Sequence, residues 1–221
     1  MWVYLTNRDC LSPVKAMVER LRLSDEVDEI VIVDCGSTYP DLLDWYASRP
    51  ATVIRCENIG PYAPWQVMQD SGEYYAVSDA DLDISRVPTD FITKLRLGLE
   101  EHPENIKAGL SLAIDDLPCD FPFREAVIKH ESQFWTQPLD ANWYTAAIDT
   151  TFAVYQHRAW QACVPALRAA PPYVARHIPW YLSEKTMPDE WRWYFQRCDK
   201  PTHWSSQFRN ILPNPVDNPS A

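Results

Sequence analysis

Four short apolar runs, each closed by a polar turn, set the strongest limit on how this chain can fold. Trp2 to Leu5, Ile30 to Val33, Ala51 to Cys56 and Glu73 to Val77 have the length and the β-branched or aromatic content of buried strands. Between the first two lies an amphipathic segment. Ser12 is a candidate cap, Pro13 fits the first helical position, and Val14, Met17, Val18 and Leu21 recur at helical spacing. A further helix is predicted from Pro88 to Glu101, with Ile92, Leu95 and Leu99 on one side, and then a strand from Lys107 to Ile114. Strands alternating with helices imply an α/β fold, a mostly parallel twisted sheet flanked by helices on both faces. Such sheets hold their ligand crevice beyond the carboxyl ends of the strands, which gathers Thr6 to Arg8, Asp34 to Thr38 and Asp79 to Asp83.

The glycine-rich phosphate loops common in such sheets cannot be written here. The 221 residues hold five glycines, none after Gly109, and no two are close enough for G-x-G-x-x-G or a Walker A loop. Beyond that point the composition changes, with twelve of the nineteen prolines and seven of the ten tryptophans. There the pattern predicts a helix from Phe123 to Trp135 and a strand from Ala146 to Tyr155 interrupted by Asp149, then short pieces broken by proline. One domain is expected over 1–221, with an acidic first part at 1–115, a Pro/Trp-rich part at 116–210 and a tail at 211–221.

Charge and cysteine usage exclude other classes. A formal charge of −11 with scattered basic residues opposes binding to a phosphate backbone, so no nucleic-acid partner is expected. No apolar run reaches the roughly 20 residues of a membrane helix, and MWVYLTNRD does not read as a signal peptide, so the expected location is cytoplasmic. Six cysteines without a C-x-x-C pair are read as reduced, structural thiols.

The chemistry concentrates in Asp79-Ala80-Asp81-Leu82-Asp83, directly after a strand. Hard carboxylate oxygens without cysteine favour magnesium, manganese or calcium. A calcium loop fails at Ile84, where glycine is needed, and a phosphoaspartate phosphatase wants Thr or Val where Asp83 stands. A solvated acidic turn and the D-x-D of a nucleotide-sugar glycosyltransferase remain, and context favours the second. Val31-Ile32-Val33-Asp34-Cys35-Gly36-Ser37-Thr38, then Glu57-Asn58-Ile59-Gly60, then Asp79-Ala80-Asp81 come in an order and spacing that resembles the GT-A class of glycosyltransferases, the family-2-like enzymes in particular.

That resemblance implies a GT-A (Rossmann-like) fold, with 1–115 as a nucleotide-sugar donor half and 116–210 as an acceptor half. It assigns Thr6, Arg8, Asp34, Asn58 and Asp79 to the nucleotide. It assigns Asp79 and Asp81 to a divalent ion, Mn2+ or Mg2+, with His177 completing the shell and Asp83 supportive. The implied reaction moves a sugar from a UDP-sugar to a saccharide hydroxyl with inversion. Asp149 would take the acceptor's proton as a buried, raised-pKa base, and Asp115 and Asp116 stand in reserve. Trp65, Trp143, Tyr144, Trp180 and Tyr181 are candidates to stack on sugar rings. The alternatives are a nucleotidyltransferase, although residues 1–35 lack its glycine-rich loop, and a non-catalytic nucleotide- or sugar-binding module.

Overall fold

The computed structural model describes residues 1–68, 72–156 and 165–197. The expected tail at 211–221, as well as Cys163 and Cys198, lies outside them. The first part runs β1 (Trp2–Asn7), α1 (Leu11–Leu21), β2 (Glu29–Cys35), α2 (Pro40–Ala47), β3 (Thr52–Cys56), α3 (Ala63–Val67) and β4 (Tyr74–Asp79). It continues through β5 (Leu82–Asp83), α4 (Phe91–Glu101), β6 (Lys107–Gly109), β7 (Ser111–Leu112) and α5 (Arg124–Glu131). The last elements are β8 (Trp143–Ala147), β9 (Ala153–Gln156), β10 (Pro165–Ala169), β11 (Val174–His177) and α6 (Asp189–Arg197).

Eight strands form one sheet in the order β3-β2-β1-β4-β9-β6-β10-β8. The β3-β2-β1-β4 half is parallel throughout, with β1, β2 and β4 largely buried and β3 a partly exposed edge. The far half is mixed: β9 runs antiparallel to both β4 and β6, and β8 antiparallel to β10. Side chains alternate across β1, so Val3 and Leu5 pack with α1, α2 and α4 in one core layer, whereas Tyr4 joins Val31, Val33 and Ala63 in the other. In that second layer Tyr75 and Tyr155 stack with ring centres 5.2 Å apart. Among the described residues no helix is long and apolar enough to cross a membrane.

Several sequence boundaries move, each for a physical reason. The strand expected from Lys107 to Ile114 breaks at Gly109, where an added Cβ would lie 2.7 Å from the Phe152 carbonyl oxygen. After the break, β7 leaves the large sheet and joins β11 and β5 in a small one, β5-β11-β7. The strand expected from Ala146 to Tyr155 is two strands, β8 and β9, and Asp149 is the exposed residue of the otherwise largely buried connection between them. The Phe123 to Trp135 helix is α5 followed by a 3-10 turn at Ser132–Trp135. Ser12 does not cap α1. The Glu190 carboxylate, brought in by α6, accepts the N–H groups of Leu11 at 2.6 Å and Ser12 at 2.8 Å, while Pro13 lies inside the first turn.

Candidate functional site

Parallel pairing aligns the carboxyl ends of three strands. In register, Thr6 of β1 lies beside Asp79 of β4, and Asn7 beside Asp34 of β2. Asp34 is fully buried. Its Oδ1 accepts the Ser37 N–H at 3.1 Å and the Arg55 Nε–H at 3.4 Å, which shapes the turn, while Oδ2 has no hydrogen-bond partner. The Thr6 hydroxyl is likewise buried without one. Arg8 is half-buried in the adjoining turn. Asn58 Oδ1 accepts the Gly60 N–H at 3.3 Å, bending the next turn at a glycine with φ +82°.

Asp9 escaped the sequence reading. In left-handed backbone at φ +56°, its Oδ1 accepts the N–H groups of Thr38 at 2.6 Å and Tyr39 at 2.8 Å, and its own N–H donates to Ser37 Oγ at 2.8 Å. It therefore ties the turn after β1 to the turn after β2 and occupies the start of α2. An acidic residue between a strand and a helix was the available signal, since Asp tolerates this backbone region.

Asp79, Asp81 and His177 come together through the small sheet. Antiparallel pairing sets Leu82 opposite His177 and Asp83 opposite Arg176, and the Ile178 N–H donates to the Asp81 carbonyl oxygen at 2.9 Å. His177 Nε2 then lies 3.3 Å from Asp81 Oδ2. Asp81 Oδ1 and His177 Nδ1 are buried with no hydrogen-bond partner, and the Trp180 ring packs edge-on to the imidazole at 4.8 Å. Asp79 accepts the Thr150 hydroxyl and donates its N–H to the Thr150 carbonyl oxygen at 2.8 Å. Burial, and then the charge of Asp81, pushes the Asp79 carboxyl well above its ordinary range. At His177 burial acts downward, but the charges of Asp81, Asp79 and Asp149 outweigh it and raise the imidazole.

Among the described residues no three His, Cys, Asp or Glu side chains form a ready metal cage. Magnesium-type ions do not need one, because they are held by one or two carboxylates with substrate phosphates and water supplying the rest. Asp81, with a buried oxygen left over, and Asp79 are two carboxylates that such an ion could use, and the His177 imidazole lies 3.3 Å from Asp81.

Asp149 departs from expectation. It is exposed, its Oδ1 accepting the Thr151 N–H at 3.2 Å, so the burial expected to tune it as a base is absent. Its charge nevertheless reaches both Asp79 and His177. Asp83 Oδ1 accepts the Ser85 N–H at 2.9 Å, a turn role. Asp116 is committed elsewhere, receiving Arg176 Nε at 2.8 Å and the Tyr181 hydroxyl at 2.6 Å. The Arg176 hydrogen bond, helped by Tyr181, holds the Asp116 carboxyl below its usual range.

The aromatic candidates divide. Tyr181 stays half-buried beside the imidazole strand, whereas Trp180 is buried against His177, Trp143 is fully buried against α4, and Trp65 donates to the Tyr75 hydroxyl at 3.0 Å. Tyr144 packs edge-on to Trp135 at 5.2 Å. Trp135 itself, overlooked in the sequence, lines a cavity of about 420 Å³ with Arg86, Asp115, Asp116 and Arg176.

No family model matches the chain, and no curated protein matches it. Solved structures of glucosyl-3-phosphoglycerate synthase from Mycobacterium tuberculosis are similar to it. The complex with phosphoglyceric acid is 17% identical, with 70% of this chain and 56% of that chain covered and a TM-score of 0.45. The complex with Mn2+, UDP-glucose and phosphoglyceric acid is 17% identical, covering 70% and 55%, also at 0.45. A third structure of that synthase is 18% identical, covering 70% and 56%, at 0.44. The chain thus spans little more than half the length of these proteins.

Proposed function

We propose that this chain is a metal-dependent glycosyltransferase of the GT-A kind, moving a sugar from a nucleotide sugar, a UDP-sugar, to a saccharide hydroxyl with inversion. One observation carries the reading: Asp79, Asp81 and His177 meet at strand ends that also carry Thr6 and Asp34, both with a buried polar atom awaiting a partner. Asp34 Oδ2 is suited to the imide N–H of uracil, and the Thr6 hydroxyl to a base or ribose oxygen. Arg8 faces the diphosphate as a counter-charge, and Asn58 holds the neighbouring turn. Asp79 and Asp81, with His177, would hold a divalent ion of the Mn2+ or Mg2+ type. When bound, that ion neutralises charge on the departing diphosphate. Asp149, solvent-facing and electrostatically linked to the centre, takes the proton of the acceptor hydroxyl. The acceptor half at 116–210 contributes Tyr181 as a ring-stacking surface.

Melting the protein with UDP-sugars, with and without manganese, tests the reading, because only ligands of the native state raise the transition. A UDP-sugar is expected to stabilise in the presence of manganese and to release UDP on incubation. Donor hydrolysis that survives EDTA, or that is unchanged in Asp81→Ala, would remove the metal from the reaction. Asp149→Asn is expected to slow transfer by roughly 10²–10⁴-fold while leaving UDP binding intact.

A further inference from the structure

Cys35 and Cys56 face each other on the last rung of the β2–β3 ladder, in parallel register. Adjacent strands run about 4.8 Å apart, within the about 4.4–6.8 Å between Cα atoms that a disulfide spans. In-register partners project to the same face. Cys35 Sγ donates to the Val33 carbonyl oxygen at 3.9 Å, Cys56 is near enough to raise the Cys35 thiol, and both thiols are free. Cys35 is 3% exposed, whereas Cys56 is half-buried and within reach of solvent. Cys56 Sγ donates to the Asp34 carbonyl oxygen at 3.5 Å, so the pair lies against the turn that carries the Asp34 carboxylate. Immediately beyond, Gly36 at φ +77° brings that turn against Cys56 and Asn58. A Cβ there would meet the Asn58 nitrogen at 3.7 Å and the Cys56 carbonyl oxygen at 3.8 Å.

We propose that Cys35 and Cys56 are a modification site: a dithiol that a hydroperoxide converts to an internal disulfide, fastening the Asp34–Thr38 turn to the Cys56–Gly60 turn and weakening nucleotide binding. The effect on nucleotide rests on the glycosyltransferase reading; the disulfide does not. Oxidation starts at Cys56, the thiol that solvent reaches. Its sulfur bonds to the terminal peroxide oxygen, the O–O bond breaks, and the remaining fragment leaves as alcohol or water, giving a Cys56 sulfenic acid. The Cys35 sulfur then bonds to the Cys56 sulfur and the S–O bond breaks. Hydroxide departs with the Cys35 proton as water. Two thiols lose two hydrogens and two electrons, and the peroxide gains them. Cross-linking also takes the Cys56 donor away from the Asp34 carbonyl oxygen.

The whole protein, treated with hydrogen peroxide and digested without reductant, is expected to yield a linked Cys35–Cys56 peptide. Its affinity for UDP is expected to fall roughly tenfold and to return with dithiothreitol. Cys35→Ser and Cys56→Ser, tested separately, should give no linked peptide and keep their UDP affinity in peroxide. A Cys56 peptide oxidised to sulfinic acid while Cys35 stays alkylatable overturns the proposal. A linked peptide with unchanged UDP affinity overturns the coupling between the disulfide and the turns. If the linked peptide forms but the reduced protein never binds UDP, the modification site stands and the glycosyltransferase reading falls.

Discussion

Single carboxylates in this chain are distinguished by what their oxygens touch. Asp81 keeps a buried oxygen without a partner, whereas both oxygens of Asp116 are taken by Arg176 and Tyr181. Because Arg176 precedes His177 on β11, that clamp holds the strand that presents the imidazole. Asp116 has its carboxyl lowered in the fold, so its contribution to stability is present above the unfolded value of about 3.9 and is lost as pH falls through the folded value. The melting-temperature gap between wild type and Asp116→Asn is therefore expected to be widest near neutrality and to close in acid below about pH 4. A gap that stayed constant through acid would assign the effect to shape rather than charge. At this scale the position of Asp79 and Asp81 was legible, because an apolar run that predicts a strand leads straight into them. Asp149 was misread because Ile148-Asp149-Thr150-Thr151-Phe152 has the composition of a strand yet connects two strands. Asp9 was overlooked because the groups it binds lie 29 and 30 residues away.

Elements are positioned by contacts that no local pattern records. The helix α4 approaches β8 so closely that an added Cβ on Gly98 would lie 2.3 Å from the Trp143 indole. Gly98→Ala would gain at most about 1 kcal/mol of helix propensity, against roughly 1–3 kcal/mol for forcing the indole or the helix to move. The variant is expected to be net destabilised, measured as a lower urea midpoint with an unchanged slope. A rise in stability would mean that the two elements separate at little cost. Helical spacing predicted α1 and the buried face of α4 correctly, since those patterns are written in neighbouring residues. The split of Lys107–Ile114 between two sheets was not legible, because β7 turns to a partner, β11, that lies far along the chain.

For the whole molecule, the sequence order foretold the parallel half of the sheet and left the mixed half unread, because β9 enters between β4 and β6 from far along the chain. That far half is secured by a buried ion pair, Arg168 to Glu131 at 2.8 Å, with side chains 3% and 6% exposed. Burial already raises the Glu131 carboxyl against the opposing pull of Arg168. Removing the cation in Arg168→Met is expected to cost about 3–5 kcal/mol, a large part of the roughly 5–15 kcal/mol available to a native domain. Denaturant unfolding checks it, and Arg168→Met with Glu131→Leu should recover most of the loss. The pairing of β5 with β11 has a consequence for biosynthesis. Chains are made from the N-terminus while a domain generally folds as a unit, and both acids of the Asp79–Asp81 turn emerge well before His177. The Asp79–Asp81 turn therefore meets its imidazole only after the last strand of the small sheet has left the ribosome.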